Sequence, residues 1–182
     1  MADQTQDWKQ QLGPQAEKKI AYVKRMFSPA VKAAMNLGID PSWVLAQTAL
    51  ESGYGESELA QQYNNLGGVK AKAGEPQAVM PTTEGVQNIP TKEPFKTYEN
   101  PSQFFEDWTK KLQMPRYKGA LSATNVAGYA SGLKQGGYFT GELKPYSTNL
   151  QKISKDMDTI LKNLPILDQG IIDSRMGQTQ ER

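Results

Sequence analysis

The stretch DPSWVLAQTALESGYG, residues 40–55, decides the fold. Asp40 followed by Pro41 is a helix-start signal: an acceptor side chain for the free N–H groups of the first turn, then a proline whose fixed φ suits the first helical position. The helix so opened carries no charge until Glu51, and Gly53 and Gly55 stop it. A helix this poor in charge reads as a buried element. Val44, Gln47, Thr48 and Glu51 share one of its faces, so a carboxylate leaves the end of a segment that water does not reach. Glu51 also stands at the helix C-terminus, where the negative end of the macrodipole disfavours a second negative charge. Lost hydration and the dipole both raise its pKa, which is what a general acid at neutral pH requires.

On the N-terminal side, residues 16–27 read as a Lys-rich helix ended by Ser28-Pro29, where a cap and a proline start a second helix reaching Asn36. On the C-terminal side a short helix over residues 57–62 follows. Between residues 64 and 98 scattered Gly and Pro, Thr82-Thr83 and short apolar runs point to loops and a small antiparallel hairpin. Asn100-Pro101 opens the next helix, with Phe104, Phe105, Trp108 and Leu112 at core spacing. The last begins at Pro145 and carries Tyr146, Leu150, Ile153, Met157, Ile160 and Leu164 as one stripe before Pro165. The expected fold is mainly α (α+β): one helical domain over residues 15–164 with a hairpin lobe, a polar arm over 1–14, and a tail over 165–182. Ile166, Leu167, Ile171 and Ile172 give that tail an apolar patch, expected to dock on the domain or on a partner.

The composition narrows the chemistry. The 182 residues include no Cys and no His, which excludes disulfides, imidazole or thiolate metal sites, Cys nucleophiles and Ser-His triads. Acid-base work near neutral pH then falls to carboxylates, tyrosines or lysines, with no metal and no cofactor expected. With 21 basic and 19 acidic residues the formal charge is +2. The lysines are dispersed, so a nucleic-acid partner is not indicated. There is no apolar core of a secretory signal near the start and no run of about 18 apolar residues, so membrane insertion is not expected.

Seven segments in order carry a family resemblance: LAQTALESGYG (45–55), NLGGVKA (65–71), TTE (82–84), FKTY (95–98), DW (107–108), PRY (115–117) and LKQGGYF (133–139). Together they resemble the bacterial and phage peptidoglycan glucosaminidases, glycoside hydrolase family 73, which include the flagellar rod-type muralytic domains. The resemblance covers residues 40–160. It implies a lysozyme-like fold and hydrolysis of the β-1,4 bond between N-acetylglucosamine and N-acetylmuramic acid. Residue by residue, it makes Glu51 the general acid, Glu84 the second carboxylate on the β-lobe, and Tyr138 a phenol beside the acid. Tyr54, Asn65 and Tyr117 match groove positions that bind substrate. The chain departs from the family pattern at Gly67 and Gly85, where aromatics are usual, and over residues 141–144; both glutamates stand.

The resemblance also frames two alternatives, a lytic transglycosylase using Glu51 alone as acid then base, and a mainly structural component of a phage tail or secretion machine. The expected partner is the peptidoglycan glycan strand, with phage tail, baseplate or secretion-machine proteins bound through the terminal arms. Without a Sec signal, the expected location is a virion or export by another route, acting on the cell wall.

Overall fold

A computed structural model describes residues 4–84 and 89–164. Eight helices and one hairpin follow in order within them: α1 (Gln4–Gln11), α2 (Ala16–Leu37), α3 (Pro41–Ser52), α4 (Glu58–Tyr63), β1 (Gln77–Glu84), β2 (Ile89–Lys96), α5 (Pro101–Leu112), α6 (Lys118–Leu121), α7 (Val126–Gln135) and α8 (Leu143–Asn163). Helix α3 sits at the centre, packed by α2 on one side and α8 on another. Its Asp40 cap accepts from Ser42 N at 2.7 Å, and Gly53 closes it in the left-handed conformation. Val44, Leu45, Ala46, Gln47, Thr48 and Ala49 are all 0 % exposed, as a charge-free helix should be.

Helix α2 corrects the reading of two helices separated at Ser28-Pro29. It runs unbroken for 22 residues with Pro29 inside. A proline there removes one backbone hydrogen bond and crowds the preceding turn, at a typical cost of about 3 kcal/mol. Buried Met26 and Phe27 before it and Ala30 and Val31 after it form one continuous apolar stripe. A break would pull half that stripe off the core, so tertiary packing prevails over the local signal.

The N-terminal residues are also not a free arm. Helix α1 meets α8, Trp8 packs against the core, and Leu12 is 3 % exposed. Lys19 fastens this corner, donating from Nζ to the Leu12 carbonyl at 2.8 Å and to Asp156 at 2.7 Å. The apolar patch expected at Ile166, Leu167, Ile171 and Ile172 lies outside the described residues.

The hairpin pairs Gln77 with Lys96 at its base and Glu84 with Ile89 at its far end. Its base is joined to the rest of the domain. Ala71 N donates to the Pro94 carbonyl and Lys96 N to the Val69 carbonyl, each at 2.9 Å. A charged cluster secures the same point: Lys96 Nζ reaches Asp107 on α5 at 3.0 Å and Glu75 at 2.9 Å, and Tyr98 Oη donates to Asp107 at 2.7 Å. Burial alone would lift the Asp107 carboxyl, but the hydrogen bonds from Tyr98 and Lys96 bring it below the ordinary range.

Helix α7 begins at its Asn125 cap and buries Tyr129, Ala130, Gly132 and Leu133. Gly132 abuts α6 so closely that a Cβ would lie 2.2 Å from the Ala120 nitrogen. Only glycine lets the two backbones approach. Gly132→Ala is therefore expected to destabilise the domain by about 2 kcal/mol or more, because the clashing atoms are backbone and cannot swing away. Urea unfolding followed by circular dichroism checks this, and an unchanged midpoint would contradict it.

Candidate active site

Glu51 stands in the last turn of α3, where the buried helix emerges. The residue is open to solvent, yet the walls contributed by α5 and α8 strip part of its hydration, and this loss pushes its pKa up. Two neighbours oppose the rise without cancelling it. Tyr146, in the first turn of α8, donates from Oη to Glu51 Oε1 at 3.0 Å, and the Lys111 ammonium attracts the carboxylate from α5. The carboxyl thus keeps its proton to a higher pH than an ordinary glutamate while facing open space. That combination suits proton donation to a bound oxygen.

Tyrosines line the floor around it. Tyr138 Oη accepts from Trp108 Nε1 at 3.0 Å, which leaves its own proton to donate. Burial first, and then the Glu51 charge, pushes this phenol far above its ordinary pKa, so it stays neutral. Tyr129 donates to Gln47 Oε1 one turn before Glu51 on α3. Gln47 is fully buried, and its Nε2 has no hydrogen-bond partner among the described residues. Tyr146 is fixed by stacking on Phe139, with ring centroids 3.9 Å apart and planes 18° apart.

The expected site residues therefore separate into groups. Glu51 and Tyr138 do come together at one end of α3. Glu84 closes β1 opposite Ile89, at the end of the hairpin remote from its base; its side chain lies outside the described residues.

Asn65 and Tyr117, expected at groove positions, are 1 % and 0 % exposed. Asn65 is a junction: Nδ2 donates to the Val69 and Lys96 carbonyls at 2.9 Å each, and Oδ1 accepts from Val69 N at 3.0 Å. It ties the loop after α4 to the hairpin base. Tyr117 lies beneath Tyr138, edge to face at 6.0 Å. Tyr54 adopts φ 60 and turns its ring toward α2, edge to face with Tyr22 and under the Lys18 ammonium at 5.4 Å. These contacts make it a packing residue on the α2 side.

Tyr146 and Lys111 are the neighbours of Glu51 that sequence reading missed. Tyr146 read as the head of a core stripe. A phenol in place of an aliphatic at that position was the available signal, and its partner lies 95 positions away.

Residues 28–159 match the glucosaminidase family, described as mannosyl-glycoprotein endo-beta-N-acetylglucosaminidase. Over 148 residues the chain is 31% identical to the peptidoglycan hydrolase FlgJ of Pseudomonas aeruginosa, covering 76% of this chain and 36% of that protein. It is 35% identical over 152 residues to the exo-glucosaminidase LytG of Bacillus subtilis, covering 73% and 54%. The chain thus spans from about a third to about half the length of these two relatives. The crystal structure of a peptidoglycan hydrolase from Sphingomonas sp. A1 superposes with a TM-score of 0.66 at 26% identity, covering 79% of this chain and 94% of that one. With the match extending over more than half of its length, and with this helical fold and its two-stranded lobe, the chain belongs to the glucosaminidase family of lysozyme-like glycoside hydrolases.

Proposed function

We propose that the protein hydrolyses peptidoglycan at the β-1,4 bond between N-acetylglucosamine and N-acetylmuramic acid, with Glu51 as the general acid. The observation that carries this reading is a single carboxyl, raised in pKa at the open end of a buried helix and bonded to the Tyr146 phenol. In the first step Glu51 gives its proton to the glycosidic oxygen as the bond to the anomeric carbon breaks. The carbon gains oxocarbenium character, and the aglycone leaves as an alcohol. A water then adds at that carbon and loses its proton to the second carboxylate, and proton exchange with solvent returns both carboxyls to their starting states. Glu84, at the far end of the hairpin, supplies the second carboxylate in this scheme. The neutral phenols of Tyr138 and Tyr146 hold the acid and the sugar oxygens in register without competing for the proton.

Mass spectrometry of muropeptides released from purified sacculi tests the reading. Wild type is expected to create new reducing N-acetylglucosamine ends. Reducing or 1,6-anhydro muramic ends would refute the bond assignment, the latter in favour of a transglycosylase. Glu51→Gln is expected to lower the rate by about 10²-fold or more, as loss of a general acid does, and Glu84→Gln by somewhat less. The pH profile offers a second check. The hydrogen bond from Tyr146 favours the ionised carboxylate, so Tyr146→Phe raises the Glu51 pKa further. A general acid works protonated, so activity falls as pH rises through that pKa. The alkaline limb of kcat/KM should move to higher pH in Tyr146→Phe, and a shift to lower pH would contradict the assignment.

A further inference from the structure

Two cations mounted on the tyrosines near the acid make no hydrogen bond and no ion pair among the described residues. Lys111 and its neighbour Lys110 occupy the last turn of α5, where basic residues offset the helix dipole. Lys110 does this from an exposed position. Lys111 instead folds inward and lies half-buried, its ammonium 4.6 Å from the centre of the Tyr138 ring. Among the described residues it makes no hydrogen bond and no ion pair. Burial, and then the positive charge of Arg116, pushes its pKa down, against the weaker opposing attraction of Glu51 and Asp107.

Arg116 repeats the pattern one ring away. Its guanidinium lies 4.9 Å above Tyr117, it is exposed, and among the described residues it too has no hydrogen-bonded or ionic partner. Tyr117 and Tyr138 meet edge to face at 6.0 Å, so two like charges are mounted on adjoining rings, and the Lys111 charge also acts on Glu51. Glu51 and Asp107 attract the Lys111 ammonium from a distance without a hydrogen bond, which offsets the lost hydration only in part, and the two neighbouring cations repel. A face of tyrosine compensates only in part.

Resting on the peptidoglycan reading above, we propose that Lys111 and Arg116 form a carboxylate-recognition site that takes an anionic group borne by the muramoyl unit of the bound strand. The chemistry fits that unit and not its neighbour. N-acetylglucosamine carries no charge, whereas a muramoyl unit carries the free carboxylates of its stem peptide or, where the stem has been removed, the lactyl carboxylate itself. The Arg116 fork can hold a carboxylate through two parallel hydrogen bonds while Lys111 supplies a point charge from below. The site thereby sets which side of Glu51 the muramoyl unit occupies, and so which glycosidic bond receives the proton.

The test exchanges the substrate's charge and the protein's separately. Wild type, Lys111→Arg and the double variant Lys111→Met/Arg116→Gln are assayed on intact sacculi and on sacculi whose stem carboxylates have been converted to neutral amides. Amidase-stripped strands, with the lactyl carboxylate free or amidated, complete the set. Wild type is expected to lose about tenfold in kcat/KM when the recognised carboxylate is neutralised, the typical cost of one charge-assisted contact. The pair of substrates that shows the loss identifies the stem or the lactyl group as its source. The double variant should start about tenfold lower and lose nothing further on amidation, with an unchanged unfolding midpoint, while Lys111→Arg, which keeps the charge, should still lose activity on amidation. Equal wild-type rates on free and amidated substrates, or a double variant that loses as much as wild type on amidation, would overturn the proposal. Wild type cleaving none of the four substrates would instead overturn the hydrolase reading on which it rests.

Discussion

The structure depends on keeping one helix out of water up to the residue where it must meet water again. Helix α3 is buried on every side between Val44 and Ala49, and its only ionisable residue, Glu51, comes at the end that opens to solvent. The two properties are inseparable. Walls that bury the helix also thin the hydration around the carboxyl, and thin hydration keeps the proton in place. Most of the remaining fold builds those walls: α2 runs straight through Pro29 to cover one side, α8 covers another, and α5 supplies Trp108 and Lys111 beneath the acid.

The hairpin obeys a different constraint. Two strands with no third partner cannot bury a core of their own, and this pair depends on its base. There Asn65 and the Lys96, Asp107 and Tyr98 cluster join it to the helical body. Prolines at 81, 90 and 94 interrupt its free edges, which limits pairing with other chains. The molecule therefore combines a tightly packed acid with a projecting element held at one end. In the proposed mechanism, that element brings the second carboxylate to a strand already lying against the first.

Helices with strong local punctuation were legible before the structure. Asp40-Pro41 and Asn100-Pro101 start helices with those residues in the capping and first positions, and the stripe on α8 buries Leu150, Met157 and Ile160 as its spacing requires. The miss at Pro29 has a physical cause. Pro29 is a breaker in isolation, and it is tolerated because the apolar stripe on either side of it is buried in one continuous core. In the site, Glu51 was legible because it is the first charge on an apolar helix. Tyr146 was not, because its role exists only once α8 is laid across the end of α3. Asn65 and Tyr117 are a different case. A family motif includes the residues that shape a groove as well as those that face it, and both of these act from beneath the surface.

The relation between burial and proton retention can be measured directly by following the Glu51 side-chain carboxyl through a pH titration, with carbon-13 NMR on the full chain and the Glu51→Gln variant used to assign the signal. The predicted result is a midpoint displaced above the ordinary glutamate value of about 4.3. A midpoint at or below that value would mean that the open end of α3 is fully hydrated, and that Glu51 is ionised under the conditions where the proposed mechanism needs its proton.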